Sequence, residues 1–375
     1  MYDNPFCLTI LPVPRRLHLA TFVAYLPAGA LPLLAAQAPG GPLDPGALVV
    51  PFCAGFALGF LGWGRAADRW DPHAVVRLGL LLTAAAGALV ALAPGEAWVV
   101  AARALQGLAA AAVPPAVQAI LARDAEEHRT GSALSGMMLA VAAAVLAGPA
   151  LAPLSPDWTT AALACAALPA IAAIPRWAAK PGHRPGTAAH AAAFADPAGV
   201  RAGQIVAALV LAGHWTVLTR LAEAPGSESI GALTGLAGLP LVVLAARAAD
   251  LRGPRLTMTV TLTAGALGFA LAAGAQSATA FALSAGVGLA VYWAYLPVVA
   301  TQVQRSAGEQ GRGRAAGGLY ASMWMSAALA GAIASLAPGW REVLLGAGVA
   351  WAAAAVVAAR GFLGASRACP QPSRP

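Results

Sequence analysis

The amino-acid sequence predicts an all-α membrane protein with twelve transmembrane helices in two parallel six-helix repeats. Three observations carry that prediction. Apolar stretches long enough to cross a bilayer recur twelve times, basic residues fall almost wholly in alternate loops, and the second half of the chain restates the first at a fixed offset. Composition frames all three: of 375 residues, 59% are hydrophobic and only 10% charged, with a mean hydropathy of +0.71. A soluble globular chain carries about 25% charged residues, and a disordered one combines low hydrophobicity with high charge. Both classes are excluded.

A membrane helix needs about 20 mostly apolar residues. In the first half such windows run over 17–36, 45–63, 75–94, 98–122, 133–154 and 158–175. In the second they run over 203–219, 229–246, 256–275, 278–301, 315–337 and 342–359. The expected organisation is an N-terminal six-helix bundle over 1–178, a cytoplasmic linker over 179–202, and a C-terminal bundle with a short tail over 203–375. The first window follows Arg15 and Arg16 and contains Ala36 of Ala36-Gln37-Ala38, a signal-like arrangement. Its length of about 20 residues exceeds the 7–15 of a signal-peptide core, so it reads as a retained first helix.

Of the 23 basic residues, 22 are arginine and one is Lys180. Twenty lie in the N-terminal segment, the even-to-odd loops and the tail; only Arg220 and Arg341 lie in the opposite loops, and Arg103 alone falls inside a span. The positive-inside rule then places both termini in the cytoplasm. The formal charge of +8 is thereby explained by anionic headgroups, with no nucleic acid required. The arginine bias with abundant alanine and glycine matches a GC-rich bacterial genome, and a multi-pass protein of the bacterial inner membrane is expected. The four cysteines, Cys7, Cys53, Cys165 and Cys369, form no Cys-x-x-Cys pair. They imply neither a disulfide framework nor a metal site, and no cofactor is expected.

Residues 64–72 read GRAADRWDP and residues 246–254 read ARAADLRGP, an offset of 182 that persists without a gap for about 95 residues. It aligns Asp68 with Asp250, Pro72 with Pro254, Pro115 with Pro297, Arg123 with Arg305, Glu127 with Glu309, Gly131 with Gly313 and Trp158 with Trp340. Matches among Ala and Leu are cheap in this composition; matches among Asp, Pro, Glu and Trp are not. Both copies carry their charges on the same side, so they are parallel repeats with an even number of spans each. Transporters built this way hold substrate between the halves near the midplane.

The run Gly64-Arg65-Ala66-Ala67-Asp68-Arg69-Trp70-Asp71-Pro72-His73 resembles the loop 2–3 motif of the major facilitator superfamily, matching at Gly64, Ala67, Asp68 and Arg69. His73 substitutes for a basic residue, whereas Asp71 and Pro72 depart from the pattern. The second copy keeps Asp250 and Gly253 and supplies Arg255. The resemblance implies that Gly64, Asp68, Arg69, Asp250 and Arg255 form a conformational latch. Asp68 would cap the eleventh span near Ala315–Gly318, and by symmetry Asp250 would cap the fifth near Ser132–Ser135. A helix N-terminus carries unpaired N–H groups and about half a positive charge, which a carboxylate satisfies.

Arg103-Ala104-Leu105-Gln106-Gly107 resembles the family's Arg-x-x-Gln-Gly motif. An arginine within a span costs about 2.5–3.5 kcal/mol on insertion scales and usually faces a cavity or partner. Arg103 and Gln106 are therefore candidates for substrate binding or proton coupling. The run Ala144–Ala152 partly resembles a motif of proton-driven exporters, matching at Gly148 and Pro149. The helices that line the cavity in this family nominate Tyr25, His214, Trp215, Tyr292, Trp293 and Tyr295, with Trp324 a further candidate. No carboxylate falls within a span, which favours a neutral or anionic substrate over a cation.

The expected function is rocker-switch secondary transport of a small molecule, driven by an ion gradient, with protons and export preferred. The protein is expected to act as a monomer. Two rivals are a non-transporting receptor or scaffold on the same fold and a magnesium-dependent prenyltransferase-like enzyme. The enzyme would need clustered carboxylates, and the second copy offers Gly253 where the first has Asp71. An ATP-driven pump is disfavoured by the absence of a Gly-x-x-x-x-Gly-Lys-Ser/Thr loop.

Overall fold

The computed structural model describes residues 15–30, 37–38, 43, 45–151, 157–174, 194–220, 230–334 and 339–361. Among the described residues the chain is helical, with no strand. The first half contains α1 (Arg15–Ala30), α2 (Pro45–Arg69), α3 (Pro72–Ala91), α4 (Glu96–Ala110), α5 (Val113–Asp124), α6 (Thr130–Leu151) and α7 (Trp158–Ala173). The second contains α8 (Pro197–Arg220), α9 (Ile230–Arg252), α10 (Pro254–Ala273), α11 (Ala278–Ala307), α12 (Arg312–Ala334) and α13 (Trp340–Gly361). Because α4 and α5 are two segments of one apolar span, Glu96–Asp124, these helices make twelve spans.

Proline chemistry explains why that span is broken while its repeat is not. Pro114 and Pro115 follow the break at Ala111–Ala112 and remove two successive N–H donors. The corresponding span, α11, has only Pro297 and stays continuous over 30 residues.

Several helices outrun their apolar windows at the basic end. The second span continues six residues past 63 to Arg69, and the eighth six residues past 246 to Arg252. The Gly64–Arg69 motif is therefore the end of α2, not a loop. Trp70 and Asp71 make the turn, and the Asp71 carboxylate caps α3 by accepting the His73 N–H at 3.0 Å. At the matching turn Gly253 takes φ +88°, a conformation that favours glycine.

The core of the second half gathers around Trp351, which is fully buried. Its indole N–H donates to the Val210 carbonyl at 3.0 Å, and its ring meets Phe269 edge-on at 5.3 Å. In the first half, Trp158 of α7 donates to the Val90 carbonyl of α3 at 3.3 Å. The linker from 179 to 193 lies outside the described residues. Helix α8 begins at Pro197, inside the stretch assigned to the linker, and the residues before it are tied down: Asp196 N–H donates to the Ser306 carbonyl at 2.8 Å.

Candidate functional site

Helices α2 and α12 run antiparallel along the junction between the halves. On α2 the residues Phe56, Phe60, Gly64 and Asp68 recur every four positions and so form one stripe. On α12 the facing residues are Gly313, Gly317, Tyr320 and Trp324. Glycine permits the approach: a Cβ on Gly64 would lie 2.6 Å from the Gly313 carbonyl oxygen, and one on Gly317 would lie 2.4 Å from that of Phe60. Small residues of this kind let backbones touch where a larger side chain would hold them apart.

At the basic end of this seam the Asp68 carboxylate accepts the Gly313 N–H at 2.7 Å, the Arg314 N–H at 3.0 Å and the Arg314 Nε–H at 3.1 Å. The second copy repeats the device between α9 and α6. Asp250 accepts the N–H groups of Gly131 and Ser132, each at 2.8 Å, and the Ser132 hydroxyl at 2.6 Å. Ser132 and Arg314 are repeat equivalents, so a side-chain donor joins two backbone donors in both places. Asp68 and Asp250 are well covered, with side chains 11% and 6% exposed. Arg305 stands 3.6 Å from Asp250. The caps fall on the first free N–H groups of α12 and α6: Asp68 binds just before the expected Ala315–Gly318, and Asp250 binds Ser132 of the expected Ser132–Ser135 together with Gly131 before it.

The remaining latch candidates lie elsewhere. Arg69 is exposed at the end of α2, and Arg255 donates to the Ala359 carbonyl of α13, inside its own half. His73 sits beside Asp71, 3.3 Å away, rather than at the seam.

Deeper along the same stripe the contact turns aromatic. Phe60 stacks on Tyr320 at 5.1 Å, and Phe56 meets Trp324 at 5.3 Å and Tyr25 at 5.2 Å, both edge-on. With a rise of about 1.5 Å per residue, Tyr320 and Trp324 lie roughly 12 and 18 Å along α12 from Arg312, near the middle of a ~30 Å hydrocarbon core. The second half completes the cluster. His214 of α8 stacks on Tyr292 of α11 at 3.8 Å, Tyr292 lies 5.6 Å from Tyr295, and Trp215 lies 6.5 Å from Trp324. Five of the candidates, Tyr25, His214, Trp215, Tyr292 and Tyr295, are thus brought into one cluster with Trp324. Trp293 belongs to its edge: it touches Tyr292 but packs over Gly238 of α9.

Arg103 and Gln106 are not part of this cluster. They are fully buried within the first half. Arg103 Nε donates to the Leu48 carbonyl at 3.1 Å, Nη1 donates to Gln106 Oε1 at 2.5 Å, and the guanidinium lies 4.6 Å over the Phe52 ring. Cys53 and Cys165 are close enough to interact with it electrostatically. This arrangement ties α4 to the N-terminal end of α2. The Ala144–Ala152 motif continues as helix through Leu151, and its side chains from Gly148 onward lie outside the described residues.

Three contributors escaped sequence reasoning. Tyr320 lies on the eleventh span, which the resemblance does not nominate. Phe56 and Phe60 were visible as a four-residue periodicity, but nothing in that periodicity says whether the stripe faces lipid or the other half.

The fold and the seam define a class: a polytopic carrier of two linked helical bundles. A sequence profile described as Major Facilitator Superfamily matches residues 17–222, and the chain belongs to that family. It is a transporter rather than an enzyme. Solved structures agree in fold. A bacterial homologue of the iron transporter ferroportin, in an outward-facing state, is 14% identical with a TM-score of 0.74, covering 94% of this chain and 99% of its own. The human organic anion transporter MFSD10 (TETRAN) is 17% identical with a TM-score of 0.70 and the same coverages of 94% and 99%. The proton:xylose symporter XylE is 13% identical with a TM-score of 0.73, covering 91% of this chain and 94% of its own. Among curated proteins no sequence matches significantly.

Proposed function

We propose that this protein is a secondary transporter that exposes a central site alternately to each side by rocking residues 1–178 against 203–375. The basic end is the cytoplasmic end, both termini are cytoplasmic, and the structure represents the state sealed on that side. The observation that carries this reading is the continuous α2–α12 seam with its Asp68 cap, together with the twin Asp250 cap between α9 and α6. Each cap joins a helix end of one half to the start of a helix in the other, using bonds that water replaces when the seam opens. The contact is therefore strong enough to favour one state and weak enough to be released.

The coupling ion in this reading is the proton, and the direction is export across a bacterial inner membrane by a monomer. His214 supports protons: it is the imidazole in the central cluster, stacked on Tyr292, and a ring nitrogen can accept and release a proton. Of the neutral and anionic solutes expected, this reading takes the neutral: Arg103 bonds Leu48 and Gln106 through Nε and Nη1 and lies over Phe52, and it is not part of the central cluster. Purified protein in proteoliposomes with an imposed pH gradient tests the reading. Solute movement should follow the gradient and should fall in Asp68→Ala. Failure of folded protein to move any solute of a broad panel under any gradient would refute it.

A further inference from the structure

The central cluster leaves three polar atoms without a partner: the hydroxyls of Tyr295 and Tyr320 and Nδ1 of His214. Their residues are 0%, 4% and 7% exposed. A buried donor or acceptor without a partner costs about 1–3 kcal/mol, and native structures keep few of them without a use. The three come from α8, α11 and α12. Tyr25 of α1 lies within electrostatic reach of Tyr320 and Tyr292, so hydroxyl groups from three helices of two halves converge.

The rings around them are already partly engaged. Phe60 covers Tyr320 at an interplanar angle of 29°, and His214 covers Tyr292 at 14°. A covered face has little left for a cation, which is drawn to the negative face of a ring. Aromatic rings associate with one another edge-to-face or offset-stacked, so the cluster suits a further flat ring. Trp215 and Trp324, both partly exposed, supply more of the same surface. Among the described residues no Asp, Glu, Lys or Arg belongs to the cluster, so a charged solute would enter a mid-membrane site without a counter-charge.

We infer that the site takes a neutral, flat aromatic compound bearing an oxygen acceptor, its ring set against the tryptophans and its oxygen receiving the Tyr295 and Tyr320 hydroxyls. This rests on the transporter reading above and names the substrate class of that same site.

Four matched probes test it: 2-naphthamide, 2-naphthoate, 2-naphthylmethylammonium and decahydronaphthalene-2-carboxamide. Titration calorimetry on the whole protein in nanodiscs, corrected with empty nanodiscs, reads their affinities. The neutral aromatic amide should bind at least about tenfold tighter than its two charged and one saturated analogues. Tyr295→Phe and Tyr320→Phe keep each ring and remove the hydroxyl, and each should weaken the amide about three- to tenfold. Thermal melting of the ligand-free variants should not fall, because the lost hydroxyl had no partner. Equal or tighter binding of a charged or saturated analogue would overturn the inference, as would amide affinity untouched by both substitutions, or no binding of any probe to folded protein. Protein that binds the amide but moves nothing in proteoliposomes keeps this inference and refutes the transporter reading. Protein that moves only charged solutes does the reverse.

Discussion

Replacing Asp68 by alanine removes three hydrogen bonds at the seam, all made by a carboxylate to donors at the start of α12. A hydrogen bond to a charged group contributes a net of about 1.5–3 kcal/mol, and one that stays partly hydrated falls toward the neutral-pair value of about 0.5–1.5 kcal/mol. Here the donors regain water once the seam opens, so the three together are worth about 2–4 kcal/mol to the closed state, including about 0.3–1 kcal/mol from the helix N-terminus. At 1.4 kcal/mol per decade this shifts the closed-to-open ratio by about 30- to 1,000-fold. A cysteine at Ala67 reads the shift, since Ala67 is 6% exposed and its Cβ faces Gly313 across the seam. In a background freed of native cysteines, alkylation of Ala67→Cys from the cytoplasmic face of inside-out vesicles should be slow with Asp68 present. It should accelerate at least tenfold in Asp68→Ala. Asp71→Ala is the control: it removes the cap of α3, at about 1 kcal/mol of helix stability, and should not accelerate alkylation. If folded Asp68→Ala reacts within twofold of its parent, or no faster than Asp71→Ala, the latch argument is wrong.

Other outcomes follow from the same geometry. Gly317→Val places a branched side chain where even a Cβ would stand 2.4 Å from the Phe60 carbonyl. The seam should no longer close, and transport should fall while the melting of each bundle persists. Arg103→Ala breaks bonds to Leu48 and Gln106 inside one half; it should lower the yield and melting temperature of folded protein while leaving the KM of the surviving fraction unchanged. A raised KM with unchanged melting would return Arg103 to the substrate site. Phe194 lies 5.2 Å from the Arg314 guanidinium, so Phe194→Ala should loosen that arginine and produce a fraction of the Asp68→Ala acceleration in the same alkylation assay. His214→Gln should abolish accumulation driven by a pH gradient while sparing downhill exchange, and full accumulation by this variant would remove His214 from proton coupling.

The aspartates of the seam were legible because the duplication repeats them. One loop acid is commonplace, whereas Asp68 and Asp250 at the same place in two copies constrain each other, and a free helix N-terminus supplies the chemistry that explains both. The Asp68 cap falls ahead of its expected stretch, and the Asp250 cap starts one residue ahead of its own, because helix starts are harder to read than helix existence: Arg312 and Thr130 begin their helices ahead of the apolar windows. Arg103 shows the opposite limit. Its presence in a span was plain, but the choice between a cavity and an intrahelical-bundle partner depends on where the Leu48 carbonyl lies, 55 residues away.

What the one-dimensional string determined was everything that depends on water and lipid: twelve apolar spans, the side that carries the charge, and the twofold copy. Those are properties of each segment against its solvent, and solvent preference is local. The tertiary structure decided what depends on which surfaces touch. It turned a Phe56–Phe60–Gly64–Asp68 periodicity into the seam between two halves, and it gathered Tyr25, Tyr292, Tyr295 and Tyr320 from three helices, with an imidazole stacked on Tyr292. Side chains far apart in sequence meet only once backbones have packed. In a membrane, where lipid is as apolar as the core, hydrophobicity does not say which face will turn inward.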